Sequence, residues 1–173
     1  MLFLGIDPGS RNTGYGLVEQ QGDRLRATDR GCLRSPSGLP LADRLARLAD
    51  GLAAVVAAAR PDIAALESPF HGSNSRSLIV LAQARGVLLA TLAGRGVPVV
   101  EYAPAQVKTA VTGNGRADKR QVARMVQMLL DLNDPTLSAD TTDALAVAIC
   151  AAHRYRLDRL AGAVAGSRRD GRS

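Results

Sequence analysis

Cysteines, aromatics and long apolar runs are all scarce in this chain of 173 residues, and each scarcity excludes something. The two cysteines, Cys32 and Cys150, stand far apart with no CxxC and no Cys/His ligand spacing. That argues against a structural zinc site and against the disulfide scaffold of a small secreted protein, and leaves both as expected core thiols. Tryptophan is absent and aromatics make up 3% of the chain, too few to build a stacking platform for single strands. The most apolar stretches, such as 52–59, fall short of the ~18 residues that a membrane span needs. The opening MLFLGIDPG has no basic lead and meets Asp7 before an apolar signal region develops. The expectation is a soluble, cytoplasmic protein with no membrane partner.

What is present points to an α/β protein with a polyanionic partner. Lysine and arginine number 22 against 16 acidic residues, a net charge of +6 that favours nucleic acid. The chain has ordinary globular composition, 46% hydrophobic and 22% charged, and a length that suits one domain of roughly 100–200 residues. The charge is uneven. From residue 151 onward six arginines face two aspartates, so +4 lies there and the first 150 residues carry +2. The expected division is one domain over 1–160 and a basic, disordered tail over 161–173.

The MLFLGID segment reads as a buried strand, followed by a PGSRNTG turn, a strand near 15–20 and another near 24–33, together a meander. Leu41, Leu45, Leu48, Leu52 and Val55 recur at helical spacing in a helix that Pro61 must end. A short strand at 63–67 follows. The stretch 75–93 is helical by length and composition, with apolar residues on more than one face, so one face needs a partner. A strand at 97–102, a short helix from Pro104 to about Val111 and a loop TGNGRA come next. Asp118 with Gln121 forms a capping-box pattern opening a helix to Leu130, and a long helix spans Ser138 to about Leu160. Strands alternating with helices after a meander imply one mixed central sheet flanked by helices.

Four carboxylates stand out by position. Asp7 ends the first strand on the side of Phe3 and Gly5, either as a turn-capping residue before Pro-Gly or as part of a site. Glu67 ends the apolar strand IAALE, where a capping role explains it less well. Asp140 and Asp143 share the first turn of the last helix; the macrodipole alone favours acids there, but their face continues inward through Val147 and Cys150. If the two strands are neighbours and the last helix crosses them, the four carboxylates meet at one sheet edge and repel unless cations neutralise them. All-oxygen donors suit Mg²⁺ or Mn²⁺, and two such ions about 4 Å apart assist phosphoryl chemistry.

Six segments in register carry a resemblance: GIDPGSRNTGYGLV from residue 5, ESPF at 67–70, QARG at 83–86, PAQVK at 104–108, VTGNGRADK at 111–119 and DTTDALAVAI at 140–149. Together they resemble the RuvC family of Holliday junction resolvases over nearly the whole chain to about residue 155. The resemblance implies an RNase H-like fold, a homodimer, two Mg²⁺ per subunit with Mn²⁺ able to substitute, and paired nicking of a four-way DNA junction in strands of like polarity. It implies 5′-phosphate and 3′-hydroxyl products, a role in recombination and repair, and a RuvA–RuvB partnership. Asp7, Glu67, Asp140 and Asp143 take the catalytic and metal-binding positions. Lys108, Lys119, Phe70, Arg76 and Arg116 become DNA-contacting residues; Lys119, in a first helical turn that disfavours a cation, would be explained by a phosphate. His71 carries no assignment. A YqgF-type nuclease acting on RNA, whose DPG motif is similar, is the alternative. An actin-like ATPase would need a second phosphate loop and about twice the length, and an architectural junction binder would leave converging carboxylates unexplained.

Overall fold

Strand β1 (Leu2–Asp7) lies at the centre of a five-stranded sheet in a computed structural model that describes residues 1–9, 11–36, 38–68, 75–134 and 136–167. Its neighbours are β2 (Asn12–Gln21), antiparallel, and β4 (Ile63–Glu67), parallel. Beyond them β3 (Arg24–Arg34) pairs antiparallel with β2, and β5 (Val99–Tyr102) pairs parallel with β4, giving the order β3-β2-β1-β4-β5. The hairpin turn between β2 and β3 uses Gly22 at φ 60°, a conformation in which a side chain is strained.

Alternation along the strands divides the core in two. Leu4 and Ile6 point to one face and join Leu17, Ala64 and Leu66 under α1 (Leu41–Ala59) and α2 (Ser75–Gly94), which contribute Leu52, Val56, Leu88 and Leu92. Phe3 points to the other face, with Val18 and Ala65, under α3 (Pro104–Thr112), α4 (Lys119–Leu129) and α5 (Ala139–Ser167). Helix α5 lies directly on the sheet. A Cβ added at Gly5 would overlap the Ala144 carbonyl oxygen, and one at Gly14 would overlap that of Asp140. Gly5 opposes Gly16 and Asp7 opposes Gly14 in the β1–β2 register, so side-chain-free positions form a track for the helix.

The turn before α5 is braced from β3. Arg30 Nη2 lies 2.9 Å from Asp134 Oδ2, and Thr141 Oγ1 donates to the Gly31 carbonyl at 3.2 Å. Ser138 Oγ accepts from the Thr141 amide at 3.2 Å, capping the helix where the sequence pattern placed its start. The Asp118–Gln121 capping box forms in both directions, at 2.9 and 3.0 Å.

Helix α1 ends before Pro61 as the sequence requires, Arg60 at φ 50° donating its amide to Val56 O, and two other boundaries differ from the sequence reading. Strand β5 starts at Val99, because the Val97 amide closes α2 by bonding Leu92 O. Helix α5 continues to Ser167, past the expected end near Leu160; the stretch 161–167 holds no proline, and its three alanines offset its two glycines. A third reading also needs correction: within α2 the window 77–94 is long and apolar enough to cross a membrane. Uninterrupted runs understate it. Its inner stripe, Ala84, Leu88 and Leu92, is fully buried, while Ile79 on the outside and Leu78 near the helix start are exposed.

The close approach of α5 makes Gly5→Ala destabilising by about 1–3 kcal/mol through overpacking. Urea unfolding measures this; an unchanged midpoint would mean that α5 does not rest on β1.

Candidate active site

The β1–β4 pairing and the glycine track decide which carboxylates meet. β1 and β4 run parallel side by side, so Asp7 and Glu67 finish at the same edge of the sheet. Helix α5 crosses β1 and β2 with its first turn over Gly14, the residue opposite Asp7, and this brings Asp140 and Asp143 to that edge. The inward continuation of their helix face holds: Val147 is 2% exposed and Cys150 fully buried.

Electrostatics registers the crowding. Burial, then the charges of Asp143, Glu67 and Asp140, push the Asp7 carboxyl up to about 7 from 3.8, with Lys119 opposing. Glu67 is raised as well, by burial first and by Asp143, while Lys119 and Lys108 act in the opposite direction. Lys119 Nζ lies 3.2 Å from Asp143 Oδ2, and that hydrogen bond and charge raise the lysine. In the free chain the counter-charge beside Lys119 is Asp143. The pair is open to solvent, with side-chain exposures of 81% for Lys119 and 32% for Asp143.

Uncompensated carboxylates with no histidine or thiol among them suit a hard divalent cation. Among the described residues no three Asp, Glu, His or Cys groups enclose an ion by themselves. That still fits Mg²⁺, which keeps several waters and takes one or two carboxylates together with substrate phosphate oxygens. Of the other sequence-named residues, Lys108 is half-buried and acts on Glu67, and Arg116 is exposed in the loop before α4, its amide bonded to Asn114 Oδ1 at 3.0 Å. Phe70, His71 and the Arg76 side chain lie outside the described residues.

Three arginines gain a place that sequence reasoning missed. Arg120 and Arg124, one turn apart on α4, are exposed beside Lys119 and have no ion-pair partner among the described residues. Their i,i+4 spacing was the available signal. Arg85, only 8% exposed, donates from Nη1 to the Glu67 carbonyl at 2.7 Å. A lone charge on the apolar inner stripe of α2 was its sign.

The fold is RNase H-like. A yeast mitochondrial Holliday junction resolvase shares the fold at 15% identity, with a TM-score of 0.60 over 86% of this chain and 77% of that one. The chain belongs to the RuvC family: the model of "Crossover junction endodeoxyribonuclease RuvC" matches residues 3–151. A RuvC from Anaeromyxobacter dehalogenans (strain 2CP-1) is 55% identical over 150 residues, 87% of this chain and 80% of that one. One from Desulfitobacterium hafniense is 46% identical over 165 residues, 95% and 100% of the two chains. The structure of Thermus thermophilus RuvC in complex with a Holliday junction substrate is similar with a TM-score of 0.86 and 31% identity, covering 91% and 96%.

The raised Asp7 has a consequence for stability without metal. Below pH ~4 the group is protonated whether folded or unfolded. Between ~4 and ~7 it ionises only on unfolding, so stability falls as pH rises, by up to about 4 kcal/mol in full. Asp7→Asn removes that cost. In EDTA at pH 8 the variant is expected to melt above the unsubstituted protein and to lose this slope in a thermal-melt pH series; equal melting temperatures would contradict the assignment.

Proposed function

We infer that this chain is a structure-specific endonuclease that resolves four-way DNA junctions in recombination and repair, by metal-dependent nicking of paired strands of like polarity with 5′-phosphate and 3′-hydroxyl ends. The observation that carries the reading is the convergence of carboxylates from β1, β4 and α5 at one exposed edge. A polyanion approaching that edge is repelled unless cations stand between, which is the arrangement a metal-dependent nuclease requires. The RNA-directed alternative draws no support from the family match.

In this reading Asp7, Glu67, Asp140 and Asp143 hold two Mg²⁺ per subunit, with Mn²⁺ able to substitute. Bound there, the ions supply Lewis-acid activation of water and stabilise charge on the leaving oxygen. Asp7 is held at the end of the central strand, which lies between β2 and β4, Glu67 at the end of β4 beside β5, and Asp140 and Asp143 by the capped first turn of α5. Lys119 neutralises Asp143 in the free protein and is placed to turn to a phosphate when substrate arrives. Lys108 acts beside Glu67, and Arg116, Arg120 and Arg124 extend a basic surface along α4 for the backbone of a junction arm.

A homodimer accounts for the exposed apolar residues near the start of α2, where Leu78 is 36% and Ile79 59% exposed. Two-fold symmetry would set two such sites against the two-fold symmetry of the junction. A RuvA–RuvB branch-migration partnership and a cytoplasmic location accompany the family assignment. Residues 1–160 serve as the nuclease domain, and the arginines after 160 add nonspecific DNA affinity.

Incubating a labelled four-way junction with Mg²⁺ should give symmetric nicks, and EDTA should abolish them. Asp7→Asn is expected to bind the junction and not cut it; cleavage by that variant, or cleavage of structured RNA in preference to the junction, would overturn the reading. For the α4 surface, the double variant Arg120→Gln/Arg124→Gln should lower the slope of log affinity against log salt by about 2, with cleavage at saturation retained. An unchanged slope would remove α4 from the DNA path.

A further inference from the structure

Strand β4 loses one of its neighbours just where its functional residue lies. The β1–β4 register ends at Ile6 opposite Leu66, and Glu67 is one residue further, paired only with Tyr102 of β5. A strand end held on one side is a poor mount for a carboxylate whose direction matters.

Arg85 reaches this point from α2. Its Nη1 donates to the Glu67 main-chain oxygen at 2.7 Å, and its Nη2 lies 2.7 Å from Glu101 Oε2 on β5. The second contact is ionic, lacking hydrogen-bond geometry. The guanidinium thus spans the last carbonyl of β4 and a side chain of β5. It stands on the buried stripe of Ala84, Leu88 and Leu92, a position that packing alone would fill with leucine or methionine. Exchanging a buried ion pair for well-packed apolar residues is often neutral or stabilising, so stability does not explain an arginine here. Glu101, with 45% of its side chain exposed, can return to water if its partner is removed.

We propose that Arg85 is a positioning residue for Glu67: by tying the β4 terminus to β5 it fixes the direction in which the Glu67 carboxylate enters the acidic edge. The inference rests on the reading of Glu67 as a metal-binding carboxylate. Residues that orient metal ligands from behind change metal affinity or activity by about 10–100-fold when replaced. Arg85 does so through the ligand's backbone. It also joins the acidic edge to α2.

The test uses the full-length chain with Arg85→Met and Arg85→Lys. Mn²⁺ binding is titrated by calorimetry without DNA, junction affinity is measured in EDTA, and melting temperature reports the fold. Arg85→Met is expected to melt within a few degrees of the unsubstituted protein and to bind the junction within about twofold, while its Mn²⁺ affinity falls about tenfold or more. Arg85→Lys keeps the charge but cannot span both acceptors, and should fall between the two. A folded Arg85→Met with unchanged Mn²⁺ affinity overturns the proposal; if that variant does not fold, an unchanged affinity in Arg85→Lys does the same. An unsubstituted protein that takes up no Mn²⁺ would overturn the metal reading of Glu67, and the proposal with it. One that binds Mn²⁺ but cuts no junction would overturn the assigned substrate and leave the Arg85 result to stand.

Discussion

The architecture depends on how closely helix α5 can approach the sheet. Gly5 and Gly14 leave room for helix backbone, and Gly16 for the Leu145 side chain, where an added side chain would collide. Because Gly14 stands opposite Asp7, the same approach that buries Leu145, Ile149 and Cys150 against the sheet sets the first turn of α5 over the end of β1. Packing and chemistry are therefore one constraint. A helix lifted by a single methyl group would lose apolar contact and carry Asp140 and Asp143 away from Asp7.

Bringing acids together this way costs stability, and the cost marks the site. Asp7 would be less perturbed on a solvated turn; here burial and three neighbouring carboxylates hold its proton to about pH 7. Lys119 offsets part of the repulsion from its exposed place at the start of α4. The surrounding charge is arranged by position more than by amount. The first 150 residues carry only +2, yet Lys108, Arg116, Lys119, Arg120 and Arg124 all fall on α3, α4 and the loop between them. A mildly charged body can thus present cations beside a negative edge, which suits a substrate whose backbone must be held and, at one point, cut.

Helix α2 has two jobs on two faces, which explains its even distribution of apolar residues. The inner stripe closes the core over β4 and β5 and carries Arg85 to the end of β4. The outer face is apolar and exposed at Ile79.

Much of this was legible beforehand, and the reasons are local. Strand alternation placed Phe3, Gly5 and Asp7 on one face; i,i+3 spacing put Asp140 and Asp143 together; the Asp118–Gln121 box opened α4; and Glu67 stood out because a carboxylate rarely ends an apolar strand without cause. Such features depend on backbone periods of 2 and 3.6 residues and on capping, all contained within a few neighbouring positions. The end of α5, the Asp143 partner of Lys119 and the span of Arg85 from β4 to β5 were not legible. Each depends on contacts between segments distant in the chain or on a balance of helix propensity against fraying. Residue order alone determined which groups each element could present at its ends. Which of those groups meet was decided only when α5 settled on its glycine track and α2 closed over β4, because proximity in space is set by packing.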